Sequence, residues 1–332
     1  MAGYSDQASF RNHAGDGRGG LKPPEKMALS VGYTSPMTLR HFLHDYYAPL
    51  KGISTRTQRL YEFTIKALGE YLGEVDGSGY REPTVLDLDQ LAISRYLAWR
   101  LRHREPATAA KDRAQLRAIW ALAWDQAIDG VSRGPSAGLR RIVVPQRTPE
   151  AWLSDEMRRL VQSAAHEVGE IEGVPAAGFW RALLLTMYDS AERISACLSL
   201  RYADVHGTLV IMRAEGRKGG RRDLTRSITA DTALAIDQIA LPRRDLVFPW
   251  TKSVSTIYYH LDRILDRANL PKDRRSKFHR IRRTSASYYE AAGGDAQELL
   301  DHSTPALKRR HYLDPRIVGD ATNASAMLPK VS

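Results

Sequence analysis

The apolar residues between positions 37 and 142 have helical spacing, which restricts this segment to folds built from packed helices. Over this stretch apolar side chains recur every three or four residues, so each segment carries one apolar face. Ser54 or Thr55 is placed to cap the longest segment. Because amphipathic helices bury such faces by packing on one another, the pattern predicts a small bundle of about four or five helices at residues 37–142.

The helical spacing resumes at residue 152 and is then interrupted by a change of period. Residues 208–216 and 223–229 alternate like the strands of a hairpin whose turn is rich in Gly, Lys and Arg. Residues 179–200 have the pattern of a largely buried helical region. The expected fold class is therefore mainly α, with an N-terminal helical bundle and, at residues 152–312, a mainly helical α+β domain that contains a small antiparallel sheet.

Three further segments complete the expected organisation. Residues 1–36 are rich in Gly, Ser and Pro, which predicts a flexible arm. Prolines break the helical pattern at residues 143–151, where we place a linker. Residues 313–332 form a C-terminal tail that is long enough to be exchanged between protomers; the alternative is a tail packed on its own domain.

The chain is basic, with 49 Lys and Arg against 38 Asp and Glu and a formal net charge of +11. This excess indicates a polyanionic partner such as nucleic acid, although a basic enzyme without one is an alternative. The single cysteine, Cys197, excludes an intramolecular disulfide and a cysteine-rich zinc site. The first residues contain no apolar signal segment, and the longest apolar stretch, around Ala182–Met187, is too short to cross a bilayer. A cytoplasmic protein without a membrane partner is expected.

Two basic features could hold a phosphate. Residues 271–283 carry seven Lys or Arg and one Asp, and within them His279 and Arg282 are spaced to share one face of a helix. A solvated basic face is the alternative. Arg193 lies in mainly apolar surroundings, where a guanidinium needs a partner or an anion. An internal ion pair with Glu192 or Asp189 is the alternative there.

Six residues together form a set suited to phosphoryl transfer. Two arginines can hold the oxygens of a phosphodiester and neutralise the charge of its transition state. A tyrosine can attack the phosphorus if a base or a positive field helps to ionise its phenol, and a lysine on the hairpin can protonate the departing 5′ oxygen. Because the side chains supply the positive charge, neither a metal nor a cofactor is expected. The set comprises Arg193, Lys218, His279, Arg282, His302 and Tyr312.

Three motifs that contain these residues resemble the boxes of a known family. YDSAERISACLSLRYADV, HRIRRTSASYY and DHSTPALKRRHYLDP, in this order, resemble the three boxes of the tyrosine recombinases, the integrase family of site-specific DNA recombinases. The preceding helical bundle resembles the family's core-binding domain. The resemblance implies that Arg193 and Arg282 clamp the phosphate and that Tyr312 is the nucleophile. It further implies Lys218 as general acid, His279 as acid/base partner and His302 as a phosphate ligand.

The motifs depart from the family pattern at three places. Asp301 stands where a glycine commonly precedes the third-box histidine, and Ala191 and Glu192 replace a glycine and an apolar residue. Ala196 stands where an acidic residue often follows the first arginine and buttresses it. We interpret these departures as changes in the support of the site.

The resemblance implies a reaction and its partners. One DNA strand is cleaved through a 3′-phosphotyrosyl intermediate and joined to a partner strand, and a second round passes through a Holliday junction. The enzyme would be a monomer when free and a homotetramer on two double-stranded DNA sites, nucleoid-associated, with a possible accessory directionality factor. The alternatives are strand relaxation by a type IB topoisomerase and a DNA-binding protein of the same fold without catalysis.

Other basic side chains are expected to contact the DNA, mostly at its phosphates, as the two domains close around the duplex. A solvated helix face is the alternative for those on the bundle. The predicted contacts are Arg56, Arg59, Lys111, Arg113 and Arg117 on the bundle, Arg217, Arg221 and Arg222 at the hairpin, and Lys277, Arg280 and Arg283 in the basic stretch.

Overall fold

The computed structural model describes residues 36–135, 138–217, 220, 222–301 and 305–319. The described residues fall into two compact units, one ending at Pro145 and the other beginning at Gln146. The predicted arm, apart from residue 36, and the tail beyond residue 319 lie outside the described residues. No described helix is long and apolar enough to span a membrane.

The first unit is a bundle of helices, as the apolar spacing predicted. Its N-terminal helical segment has a π-helical turn in the middle, at Leu43–Tyr47. The Ser54 hydroxyl accepts a hydrogen bond from the Thr57 backbone nitrogen at 3.3 Å and so caps the longest helix. The α-helices are α1 (Leu39–Phe42), α2 (Ala48–Lys51), α3 (Thr55–Asp76), α4 (Gln90–His103) and α5 (Pro106–Asp125).

A fully buried carboxylate, that of Asp112 on α5, joins three helices of this bundle. Its oxygens lie 2.9 Å from the Thr64 hydroxyl on α3, 2.9 Å from the Tyr96 hydroxyl and 2.8 Å from Arg100 Nε, the last two on α4. Burial opposes ionisation of Asp112, but the hydrogen bonds from Arg100, Thr64 and Tyr96 outweigh it and lower its pKa. The bundle therefore contains an ionised, fully bonded polar centre.

Replacing Thr64 with valine is expected to lower the free energy of unfolding by about 1–3 kcal/mol, because the single hydroxyl proton is shared between Asp112 and Gln115 and its loss leaves a buried acceptor short of a hydrogen bond. Urea unfolding of the full chain measures the change. Thr55→Val, at an exposed position of the same helix, is the matched control. Equal stability of the two variants would contradict a role for the Thr64 hydroxyl.

The first half of the second unit surrounds a three-stranded antiparallel sheet with strand order β3-β4-β5. The predicted hairpin is the β4–β5 pair, with Leu209 opposite Ser227 and Met212 opposite Leu224. A separate β1–β2 pair was not predicted, since strands of two residues show no alternation. The elements are α6 (Ser154–Ala164), β1 (Glu170–Ile171), β2 (Val174–Pro175), α7 (Ala176–Ser190), α8 (Ile194–Leu198), β3 (Val205–His206), β4 (Leu209–Met212) and β5 (Leu224–Ser227).

Helices form the rest of this unit around the apolar helix α7. Phe179, Trp180, Leu183 and Leu184 of α7 are fully buried in the core, and the Trp180 ring stacks on Phe278. The remaining helices are α9 (Ala230–Asp237), α10 (Val254–Arg267), α11 (Phe278–Ala291), α12 (Ala296–Leu300), α13 (Pro305–His311) and α14 (Pro315–Val318).

The helical region predicted at residues 179–200 is broken after Ser190. Ala191 has a φ of 52°, the left-handed conformation that ends many helices, and α8 starts at Ile194 with Arg193 as its N-cap residue. The sequence did not reveal this break because alanine, a strong helix former, occupies the left-handed position. The turn between the two helices carries Glu192 and Arg193.

Candidate active site

Tyr312 follows α13 and is 6% exposed. Its ring belongs to a small apolar cluster with Ala286, Ala296, Leu300 and Leu313. Its backbone carbonyl accepts a hydrogen bond from the Ser287 hydroxyl of α11 at 3.2 Å. The backbone of Tyr312 is therefore attached directly to α11.

The same helix brings two more residues of the predicted set to Tyr312. The ring centroids of His279 and Tyr312 are 5.1 Å apart, and the central carbon of the Arg282 guanidinium is 5.7 Å from the Tyr312 ring centroid. His279 is exposed, whereas Arg282 has 0% of its surface exposed. A tyrosine, an imidazole and a guanidinium thus meet at one place.

Arg282 is held by backbone carbonyls on two turns. One Nη donates to the Ala191 carbonyl and the other to the Leu300 carbonyl at 2.7 Å, while a carboxylate oxygen of Glu192 lies 3.7 Å from Nη1. Burial lowers the pKa of Arg282; the Glu192 carboxylate opposes this effect, and the nearby positive charge of Arg193 adds to it. The two predicted clamp arginines are therefore close enough to repel each other.

Arg193 is half-buried at the N-cap of α8. Neither of the alternative ion-pair partners binds its guanidinium: Asp189 accepts hydrogen bonds from Thr229 and Thr232, and Glu192 reaches only the backbone nitrogen of Arg193, at 3.4 Å. Within the described part of the chain, the Arg193 guanidinium has no hydrogen-bond or ion-pair partner. Its donors are available for an anion.

Glu192 is the centre of a buried charge cluster that the sequence did not predict. The carboxylate is fully buried and lies 3.3 Å from Arg217 Nε, 3.7 Å from Arg226 Nη2 and 3.7 Å from Arg282 Nη1. Arg226, on β5, also donates to the Leu299 carbonyl at 2.6 Å. The sequence did contain one indication of this cluster: Glu192 follows an apolar helix, and a buried carboxylate requires cationic neighbours.

Three arginines predicted to contact DNA are instead buried and bonded internally. Arg217 binds Glu192 and Asp301, and Arg283 donates to the Arg275 carbonyl at 2.6 Å. The guanidinium of Arg280 lies 3.7 Å from the centroid of a Trp152 ring and donates to the Ala151 carbonyl at 3.1 Å. These placements argue against direct DNA contact by the three side chains.

The other predicted contacts in this unit differ in exposure. Arg222 is exposed, 3.5 Å from the Asp301 carboxylate. Lys277 is bonded to Asp262, and its burial lowers the pKa of its ammonium. Lys218, Arg221 and His302 lie outside the described residues.

On the first unit, three predicted contacts are exposed: Arg56 and Arg59 on α3 and Arg117 on α5. The remaining two have internal partners. Lys111 Nζ lies 3.2 Å from the Asp112 carboxylate, and Arg113 Nη2 donates to the Leu139 carbonyl at 2.5 Å. Within the described residues, no group of three or more His, Cys, Asp or Glu side chains is placed to hold a metal ion.

No protein-family model and no curated protein sequence matches the chain. Solved structures do match it. A lambda integrase dimer bound to a COC′ core site has a TM-score of 0.59 at 19% identity, over 90% of this chain and 81% of that one. The XerH site-specific recombinase in a post-cleavage complex with palindromic difH substrate has a TM-score of 0.62 at 15% identity, over 87% and 84%.

The Tn1549 transposon integrase in complex with transposon right end DNA has a TM-score of 0.58 at 14% identity, over 88% of this chain and 98% of that one. At such identities the likeness concerns the fold. The matches cover most of the chain and include the helical bundle as well as the unit that holds Tyr312. This chain therefore has the fold of the tyrosine recombinases.

Proposed function

We propose that this chain is a site-specific DNA recombinase or integrase that cleaves and rejoins strands through a phosphotyrosine at Tyr312. The observation that carries the proposal is the meeting of the Tyr312 ring with His279 at 5.1 Å and with Arg282 at 5.7 Å. The arrangement suits attack by a phenol on a phosphodiester. The fold shared with recombinases and integrases adds support.

In the proposed reaction, the Tyr312 oxygen attacks the phosphorus and the bond from phosphorus to the 5′ oxygen breaks. The phenol proton passes to a base, the role we propose for His279, and the 5′ oxygen takes up a proton and leaves as a hydroxyl. Arg193 and Arg282 stabilise the charge on the non-bridging oxygens. Lys218 donates the proton to the leaving group and His302 binds the phosphate, as the family resemblance implies.

Rejoining reverses these steps with the 5′ hydroxyl of a partner strand. The energy of the broken bond is kept in the phosphotyrosine, so no cofactor is required for exchange. Two rounds of exchange through a Holliday junction require two DNA sites and four active sites, hence a homotetramer on DNA. Double-stranded DNA is the partner of each protomer.

The covalent intermediate gives a direct test. The chain is incubated with fragmented genomic DNA, the reaction is stopped with detergent, and DNA that remains attached to protein is sequenced. A recurring site with its 3′ end linked to Tyr312 is the expected result. Relaxation of plasmids without any preferred site would indicate a type IB topoisomerase, and DNA binding with no adduct would indicate a protein of this fold without catalysis.

DNA affinity is expected to fall steeply with salt, because the exposed Arg56, Arg59 and Arg117 would contact phosphates. If about six to ten phosphates are neutralised, affinity drops by about 10³- to 10⁵-fold between roughly 50 and 200 mM salt. Fluorescence anisotropy with a labelled duplex measures this slope. A nearly flat dependence would contradict phosphate-dominated binding.

A further inference from the structure

The buried guanidinium of Arg217 connects two carboxylates on separate turns. Its Nε lies 3.3 Å from Glu192 Oε1, and its Nη2 lies 2.9 Å from Asp301 Oδ2. Its Nη1 donates to the Arg222 carbonyl at 3.2 Å. All three nitrogens are thus bonded, and 3% of the side chain is exposed. We call Arg217 with these two carboxylates the Arg217 bridge.

We propose that the Arg217 bridge positions the phosphate clamp, Arg193 and Arg282, and that Arg217 itself contacts no DNA. This inference rests on the proposed function. Glu192 directly precedes Arg193 in the chain, and its carboxylate also lies 3.7 Å from Arg282 Nη1. A shift of this carboxylate would therefore move both arginines of the clamp.

The bridge runs parallel to a second connection between the same two turns. Arg282 joins the turns through the carbonyls of Ala191 and Leu300, while Arg217 joins them through the next residue of each turn, Glu192 and Asp301. Arg282 also faces the Tyr312 ring. The Arg217 guanidinium instead donates to the two carboxylates of the bridge and to one backbone carbonyl. This division makes Arg217 a positioning residue and Arg282 a residue of the clamp.

Both turns depend on unusual backbone conformations. Ala191 has a φ of 52° and Asp301 a φ of 49°, in the left-handed region where glycine is favoured. Such conformations persist when surrounding contacts hold them. Arg282 bonds the carbonyl of Ala191, and Arg217 bonds the carboxylate of Asp301, so each strained residue is fixed by an arginine.

The bridge also accounts for the departures of the motifs from the family pattern. Glu192, which replaces an apolar residue of the pattern, supplies the first buried carboxylate of the bridge and accepts a hydrogen bond from the backbone nitrogen of Arg193 at 3.4 Å. Asp301, in place of a glycine, supplies the second carboxylate. Because one guanidinium binds both carboxylates, each through a different nitrogen of its rigid fork, the two departures form one unit.

Arg217→Lys tests the bridge, because lysine keeps the charge but lacks the rigid fork whose separate nitrogens, Nε and Nη2, donate to Glu192 and Asp301. We expect single-turnover cleavage of a nicked duplex by the full chain to slow by about 100-fold, the effect of a small displacement of catalytic groups. DNA affinity should stay within about twofold of wild type, since Arg217 is buried. Asp301→Asn, which weakens the other end of the bridge, should slow cleavage in the same direction.

A methylphosphonate at the scissile position separates positioning of the clamp from general loosening of the fold. This neutral linkage carries one negative charge fewer, so an arginine clamp contributes less to its cleavage. The loss caused by Arg217→Lys should therefore shrink from about 100-fold to less than about tenfold on the methylphosphonate. Equal losses on both substrates would overturn the proposal.

Arg213→Lys is the matched control. Arg213 also bridges two carboxylates, those of Asp204 at 2.5 Å and Asp223 at 2.9 Å, but it contacts neither Glu192 nor Asp301. The Arg213→Lys variant should cleave DNA at the same rate as the wild type. Absence of an adduct in the wild type would overturn the proposed function, whereas an active wild type with an equally active Arg217→Lys variant would overturn only the bridge.

Discussion

Replacing Tyr312 with phenylalanine is expected to abolish covalent attachment to DNA, with a loss of more than about 10⁴-fold in adduct formation. The variant removes the attacking oxygen and leaves the ring, which fills the cluster with Ala286, Leu300 and Leu313. Packing around α11 is therefore kept, and DNA binding should remain within about twofold of wild type. A labelled nicked duplex, followed on a denaturing gel and by anisotropy, measures both quantities.

Tyr289→Phe is the matched control for the nucleophile. Tyr289 is on α11, the helix that also carries His279, and is 46% exposed. Its loss should leave the adduct intact. An adduct that persisted in Tyr312→Phe would place the nucleophile elsewhere and contradict the proposed reaction.

The second large effect is expected at the two clamp arginines: both substitutions should slow cleavage, but only that of Arg282 should also lower the free energy of unfolding. Arg193→Ala should slow cleavage by about 10²- to 10³-fold, because it removes donors to the charged transition state. Unfolding free energy should change by less than about 1 kcal/mol, since the described structure gives this guanidinium no partner to lose. Quench-flow cleavage and urea unfolding of the same preparations measure the two effects.

Arg282→Ala should reduce both cleavage and stability. It leaves the Ala191 and Leu300 carbonyls without a donor and removes one of the cations around buried Glu192, at a cost of about 3–5 kcal/mol in unfolding free energy. If Arg193→Ala destabilised the chain as much as Arg282→Ala, Arg193 would be a structural ion-pair residue. The proposed clamp would then lose one of its members.

The sequence was most informative where one periodicity extends over many residues. The apolar spacing of α3, α4 and α5 and the alternation of β4 and β5 predicted the bundle and the hairpin, and the structure confirms the mainly α fold with small antiparallel sheets. Such patterns predict secondary structure from neighbouring residues alone, because the spacing of apolar side chains indicates which face of an element is buried. The β1–β2 pair and the break after Ser190 lack such a repeat and were missed.

Charge was the least reliable guide to exposure. The basic stretch around α11 suggested a DNA-facing surface, yet Arg280, Arg282 and Arg283 are buried because neighbouring elements cover several sides of this helix. Arginine can be buried where carbonyls, carboxylates or an aromatic ring bind its fork, and those partners come from distant parts of the chain. A one-dimensional sequence does not display them.

The class of fold, the helical bundle and the order of the candidate residues could be predicted from the amino-acid sequence, because they follow from local spacing and from motifs. Which of these residues contact one another became visible only in the folded chain. It placed His279 and Arg282 against Tyr312, gave the Arg193 guanidinium no partner among the described residues, and joined Glu192 and Asp301 through Arg217. These contacts could not be predicted because burial and ion pairing join residues that are far apart in the chain. The packing of the helices brings such residues together.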